Sequence, residues 1–243
     1  MRPKPRADGR GPSTRLACCK HGGMRETTNG NMHTMGILSS EPATGSGMSV
    51  VDLPKPVMTG GRPLMEALLL RRSAREFSPQ PLAYQMMSNL LWAAYGVNRP
   101  ERKGRTAPSA VNAQEIDIYV VLPGGAYCYE PFSHSLQRIV PEDIRSTTGC
   151  QDFVDSAPVN LVYTADYKRM PLVPVGKRES YSSAAAGSIA QNVYLFCASE
   201  GLQTVLRAWI SRAPLKASLA LRKEQQVLFS QSLGYPPMGD SSI

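Results

Sequence analysis

Hydrophobic and polar positions divide the chain near residue 49. Before it no apolar period is found; after it, periods of 3.6 and 2 follow one another. Leu64, Leu68 and Leu69 recur at helical spacing behind Pro63, a residue suited to a first helical turn. Met87, Leu90, Leu91 and Ala94 repeat the pattern, and Gly96 is placed to end that helix. Trp92 and Tyr95 read as packing residues. Ile116, Ile118, Val120 and Leu122 then alternate against Glu115, Asp117, Tyr119 and Val121, which predicts a strand. Gly124-Gly125 predicts a hairpin into Ala126–Tyr129.

Further on, the pattern predicts a helix around Pro141–Arg145, a strand over Val159–Tyr163 and a mobile loop over Tyr167–Lys177. The longest helix carries Ile189, Val193, Phe196 and Cys197 and stops at Gly201. A strand (Leu202–Ile210), a short helix (Leu215–Leu221) and a last strand (Gln226–Leu233) complete the chain. Order is expected to begin near Leu53-Pro54. Helices and strands mix without strict βαβ alternation, so the fold class is α+β.

Composition changes this picture chiefly at the start. Residues 1–48 hold seven Lys/Arg against three Asp/Glu and almost no apolar residues, which predicts a disordered basic tail ahead of one domain over 49–243. Leu16-Ala17-Cys18 lacks the apolar segment that export needs, and Cys18-Cys19-Lys20-His21 lacks a second pair of metal ligands. Several later methionines, Met24 to Met48, are alternative starts. Hydrophobic residues make up 42% and charged ones 19%, the balance of a soluble globular protein, and no apolar run reaches a membrane span. The net charge of +8 is half carried by the tail, too little remaining on the domain to favour nucleic acid as partner. Five scattered cysteines without a Cys-x-x-Cys pair point to free thiols in a cytoplasmic protein and to no metal site.

The candidate chemistry centres on Arg71-Arg72-Ser73-Ala74-Arg75-Glu76-Phe77. If the helix continues through it, Arg71 and Arg75 share a face, and guanidinium forks beside a hydroxyl suit a phosphate and an electron-rich ring edge. A solvated basic helix end is the competing reading. Ser109 and Asn112 read equally as local turn residues, and Gln191-Asn192 as polar groups that satisfy nearby backbone. His134 reads as a solvated loop residue.

Five motifs fall in a telling order: Arg71-Arg72-Ser73-x-Arg75-x-Phe77, Ala107-Pro108-Ser109-x-x-Asn112-x-Gln114, Gln191-Asn192, Glu200-Gly201-Leu202 and Leu233-Gly234-Tyr235-Pro236. Together they resemble the FMN-dependent nitroreductase superfamily, over roughly Leu53 to Pro236. Leu91-Trp92-Ala93-Ala94-Tyr95-Gly96 and Arg105-Thr106-Ala107-Pro108-Ser109 are most similar to short single-domain relatives of the azoline-oxidising dehydrogenases, which form thiazole and oxazole rings. The resemblance implies a three-layer sandwich, a mainly antiparallel sheet flanked by helices, in a domain-swapped homodimer with FMN at each subunit interface. It implies Arg71, Arg72 and Ser73 at the FMN phosphate and ribityl chain, and Arg75 at the flavin N1/O2 edge. Pro108, Ser109, Ala110 and Asn112 would approach from the partner subunit. Val205, Leu206 and Arg207 would pass flavin N5 and donate a backbone N–H, with Arg75 and Arg207 tuning the ring.

The implied activity is hydride transfer from NAD(P)H through flavin N5 to a small electron-poor acceptor, a nitroaromatic or quinone, by a ping-pong mechanism. No protein group need act as acid, base or nucleophile. Dehydrogenation of a heterocycle or peptide, and a non-catalytic flavin carrier or sensor, are the alternatives. The chain departs from the pattern in three places: Arg207-Ala208 stands where many members carry Glu-Gly, no cation follows the last strand, and Lys177 and Tyr181 are not the adjacent Lys-Tyr pair of the azoline oxidases.

Overall fold

The computed structural model describes residues 49–239. The tail assigned to residues 1–48, with its Cys18-Cys19-Lys20-His21 group, lies outside them. Four α-helices are present among the described residues: α1 (Leu64–Leu70), α2 (Tyr84–Tyr95), α3 (Val175–Glu200) and α4 (Arg212–Ser218). The strands are β1 (Val50–Asp52), β2 (Val97–Arg99), β3 (Gly104–Arg105), β4 (Ile116–Leu122), β5 (Gly125–Glu130), β6 (Ser135–Val140), β7 (Val159–Asp166), β8 (Gln203–Arg207) and β9 (Gln225–Gly234). Seven of them form one sheet in the order β1-β6-β5-β4-β7-β9-β8, every neighbouring pair antiparallel. β2 and β3 form a separate small ribbon.

The central strands β4 and β7 are buried on both faces, and their alternate side chains supply two cores. Ile116, Ile118 and Val120 with Leu161 and Tyr163 meet α2 and α3 on one face. Tyr119, Val121 and Val162 meet Leu215 and Leu219 of the α4 region on the other. The result is an α+β three-layer arrangement, as the resemblance implied. In α2 the expected stripe of Met87, Leu90, Leu91 and Ala94 is buried. Each fully buried side chain of that size stabilises the fold by about 1.5–3 kcal/mol. The stripe of α3 likewise buries Ile189, Val193 and Cys197, and Gly201 ends the helix at φ 71, a left-handed conformation that glycine adopts without strain.

Several expectations are corrected. Order reaches back to β1, whose Val51 pairs with Leu136, because β6, a strand not anticipated, offers it an edge. Pro141–Arg145 is not a helix; a short 3-10 turn follows at Arg145–Thr148, where Asp143 folds back onto Arg145 with a carboxylate–guanidinium pair. Tyr167–Lys177 is not a loop throughout: Met170 and Val173 are buried anchors between exposed residues, and α3 has already begun at Val175. The short helix begins at Arg212, three residues before the expected Leu215. Most telling, the apolar positions of α1 are solvent-facing in the protomer: Leu69 is 83% exposed and Leu64 62%. No helix among the described residues is long and apolar enough to cross a membrane.

Candidate functional site

Helix α1 ends where the arginines begin. Arg71 still donates its N–H to Ala67 O at 3.0 Å, but its backbone (φ −56°, ψ 118°) has left the helix. The chain then runs along the outer edge of β8: Ala74 N–H donates to Thr204 O at 3.0 Å and Ser78 N–H to Tyr235 O at 2.9 Å. The expectation that Arg71 and Arg75 share a helical face is therefore overturned. A helix would withdraw the backbone groups that this segment gives to the sheet edge.

The segment borders a cavity of about 280 Å³, lined in part by Arg71, Arg72, Tyr194, Gly201, Thr204 and Pro236. Tyr194 of α3 is its hub. Its hydroxyl accepts the Leu206 N–H at 2.8 Å and shares a 2.8 Å hydrogen bond with Ser73 Oγ. The Arg71 guanidinium carbon lies 5.4 Å from the centroid of the Tyr194 ring, within cation–π range. Among the described residues no carboxylate pairs with Arg71 or Arg75. Arg71, Tyr194 and the sheet edge at Thr204 thus border one concavity, with Ser73 bonded to Tyr194 beside it, an arrangement suited to phosphate and sugar-alcohol oxygens. Arg75 is exposed and does not border this cavity.

The second group of expected residues lies elsewhere in the protomer. Pro108, Ser109 and Ala110 open a loop in which Val111, Asn112 and Gln114 all take left-handed backbone angles (φ 47°, 54° and 50°). Such angles are costly for a β-branched valine, and they are sustained here by a knot of hydrogen bonds. Ser109 Oγ accepts the Gln114 N–H at 3.0 Å, while the Gln114 amide donates to Asn112 Oδ1 and Lys103 O and accepts from Arg105 Nε. None of these loop residues borders the Arg71 cavity.

On β8, Val205 is buried and Leu206 packs toward α3. The Leu206 N–H is engaged by Tyr194, so it is not an idle donor. The Arg207 side chain turns to the opposite face of the sheet. There it donates to Thr148 O, Gln151 Oε1, Asn160 Oδ1, Ser230 Oγ and Ser232 Oγ at 3.0–3.1 Å, over the ring of Phe153. Burial among neutral oxygens pushes its pKa down to about 10. The Arg207 side chain therefore packs the 148–157 segment against the sheet, on the face away from Leu206.

Other readings are settled by geometry. Asn192 donates to Ala94 O and Thr106 O, both at 3.4 Å, so it satisfies backbone, while Gln191 is exposed. His134 is not a solvated loop residue: Nδ1 lies 2.9 Å from Tyr129 Oη and Nε2 2.8 Å from Ser88 Oγ, which donates onward to Pro54 O. Lys177 and Tyr181 lie one turn apart within α3 rather than in a loop before it. Tyr194 was missed from sequence; its one signal is a phenol within an apolar helical stripe, which must find a hydrogen-bond partner when buried. No cluster of metal-ligating side chains occurs among the described residues.

Residues 68–235 match the sequence profile of the nitroreductase family. A Methanocaldococcus jannaschii protein, provisionally named a nitroreductase, is 37% identical over 152 residues, spanning 58% of this chain and 76% of that protein. A crystal structure from Ralstonia eutropha JMP134, also provisionally titled a nitroreductase, is 47% identical and superposes with a TM-score of 0.75 over 80% of this chain and 93% of its own. The NADPH:FMN oxidoreductase of Vibrio harveyi, in complex with NAD+, shares the fold at 23% identity with a TM-score of 0.55, over 72% of this chain and 69% of its own.

Proposed function

The chain belongs to the nitroreductase family of oxidoreductases, and from that premise we propose that it is an FMN-dependent enzyme drawing hydride from NAD(P)H. The observation that carries this reading is the cavity at the sheet edge bordered by Arg71, Arg72 and Tyr194, with Ser73 hydrogen-bonded to the Tyr194 hydroxyl beside it. These donors fit FMN: the guanidinium of Arg71, with Arg72 beside it, suits the phosphate, and the two hydroxyls suit the ribityl chain. The Vibrio harveyi neighbour, an NADPH:FMN oxidoreductase by name, supports both the flavin and the nicotinamide.

Bound there, FMN would supply two-electron hydride transfer from NAD(P)H to an electron-poor acceptor such as a nitroaromatic or quinone, in two half-reactions through one pocket. The protein's own part is positional and electrostatic. Arg71 and Arg72 hold the phosphate end. Tyr194 fixes the β8 edge relative to Ser73. Arg75 presents an exposed positive charge to whichever part of the ligand gains negative charge on reduction.

The site is completed by a second copy of the chain. The Pro108–Asn112 loop does not reach the Arg71 cavity within one protomer, and α1 leaves Leu64, Met65 and Leu69 exposed beside it. A homodimer that buries α1 and brings the loop of one subunit to the arginines of the other accounts for both features. A cytoplasmic location accords with this chemistry.

The absorption spectrum of the purified protein, followed by anaerobic titration with NADH and NADPH, tests the reading. Protein that stays colourless after FMN is added refutes it. Flavin that binds but is reduced by neither nucleotide supports a carrier or sensor instead. Dehydrogenation of a heterocycle or peptide is the weaker reading, since Lys177 and Tyr181 stand four apart on α3 instead of adjacent in a loop before it. Oxygen uptake on addition of an azoline peptide, abolished by Tyr181→Phe, would favour that substrate.

A further inference from the structure

A second cavity, of about 430 Å³, shares no lining residue with the Arg71 cavity. It opens between the end of α2, the ribbon strand β3, the start of β4 and the end of β5. Arg105 borders it and is only 9% exposed. Its Nε donates to Gln114 Oε1 at 3.1 Å, and its guanidinium carbon lies 5.2 Å from the Tyr95 ring centroid and 4.4 Å from that of Phe132. The guanidinium thus packs against two rings, yet Nη1 is buried without an acceptor. Tyr95 lines the same cavity, and its hydroxyl is also buried without a partner.

Orphaned groups of this kind are rare in folded proteins, and a charged one is expensive. Among the described residues no carboxylate pairs with Arg105, whereas Arg169, the neighbouring arginine, is neutralised by Asp117. Two residues from separate elements therefore border one space, each with a donor buried beneath its lining and lacking an acceptor.

We propose that this cavity binds a small organic monocarboxylate, one oxygen accepting from Arg105 Nη1 and the other from Tyr95 Oη. The aromatic walls of Tyr95, Tyr129 and Phe132 suit an organic body better than an inorganic ion. Asp117 and Glu130 border the same space and oppose a doubly charged ligand, while Arg102 and Lys103 on the exposed ribbon attract an anion. Phe132, more than half exposed, lies over the guanidinium and is the side chain that swings to admit the ligand. Because Gln114 ties Arg105 to the strained Ser109–Gln114 loop, occupancy also bears on that loop. Asn112, which the flavin reading brings to the partner's arginines, also borders this cavity, whereas Arg105 and Tyr95 take no part in that reading.

The test is calorimetric titration of the full-length protein with sodium benzoate, with acetate and inorganic phosphate in parallel. Saturable binding of benzoate is expected, weakened about tenfold or more in Arg105→Met and Tyr95→Phe, as loss of a charge-assisted hydrogen bond implies. Should Arg105→Met not fold, Tyr95→Phe, which keeps the ring beneath the guanidinium, decides alone. Absence of saturable binding by either carboxylate, binding undiminished in Tyr95→Phe, or phosphate binding tighter than benzoate overturns the proposal.

Discussion

One hydroxyl, that of Tyr194, joins three parts of the chain remote in sequence: the arginine segment through Ser73, the sheet edge through Leu206, and α3 itself. Tyr194→Phe keeps the ring beneath Arg71 but leaves the Leu206 N–H without its acceptor. A loss of about 1 kcal/mol or more is expected in urea unfolding. At Arg71 the effect is on binding. Arg71→Ala should weaken FMN retention by about 1.5–3 kcal/mol, the worth of a hydrogen bond to a charged group, read as flavin content after dialysis. Unchanged content would remove Arg71 from the phosphate. Arg75 should behave differently, since it stands outside the cavity. Arg75→Gln is expected to retain flavin while lowering its potential, because a charge that acts on the reduced state alone shifts the redox equilibrium. Lost flavin with an unchanged potential would place Arg75 beside Arg71.

Between elements, two polar knots tie distant segments to the sheet. Arg207 on β8 holds the 148–157 segment and leaves room only for hydrogen at Gly149, where a Cβ would overlap the guanidinium. Gly149→Ala should therefore expel Arg207 and destabilise the fold by about 3 kcal/mol, measured by denaturant unfolding. Stability close to wild type would mean that the segment shifts freely. The second knot runs from Tyr129 through His134 and Ser88 to Pro54, fastening the turn before β6 to α2. Burial holds the His134 pKa below its ordinary value. The unfolded chain therefore takes up a proton on this residue at a higher pH than the folded one does. Its contribution is full above about pH 6.5, the unfolded value, and is lost as pH falls through the depressed folded value. Urea midpoints across this range should decline on acidification, and less so in His134→Gln; identical slopes would exclude His134 as the cause.

For the whole molecule, the proposed homodimer rests on the exposed apolar face of α1. Leu69→Glu places a charge in the surface expected to meet a second copy. Sedimentation should show a monomer, and flavin content should fall with it if the Pro108–Asn112 loop of one subunit completes the site of the other. A monomeric variant with full flavin content would confine the site to one protomer.

Local pattern made much of the architecture legible from sequence. The stripes of α2 and α3, the alternation in β4, the Gly124-Gly125 hairpin and the Gly201 stop all follow from side-chain periods and backbone preferences that act within a few residues. The ordered motifs likewise identified the family. Tertiary structure decided what depends on remote partners. α1 stops at Leu70, and the following segment is drawn to β8 by a bond from Ala74 to Thr204, so a four-residue spacing that promised a shared helical face carries none. Arg207 turns inward because Asn160, Ser230 and Ser232 await it across two strands, and Tyr194 enters the site because Ser73 lies 2.8 Å away though 121 residues distant in the chain. Periodicity assigns a residue to a face; only the packed neighbours determine which polar group on that face finds a partner, and which, like Arg105 Nη1, is left without one.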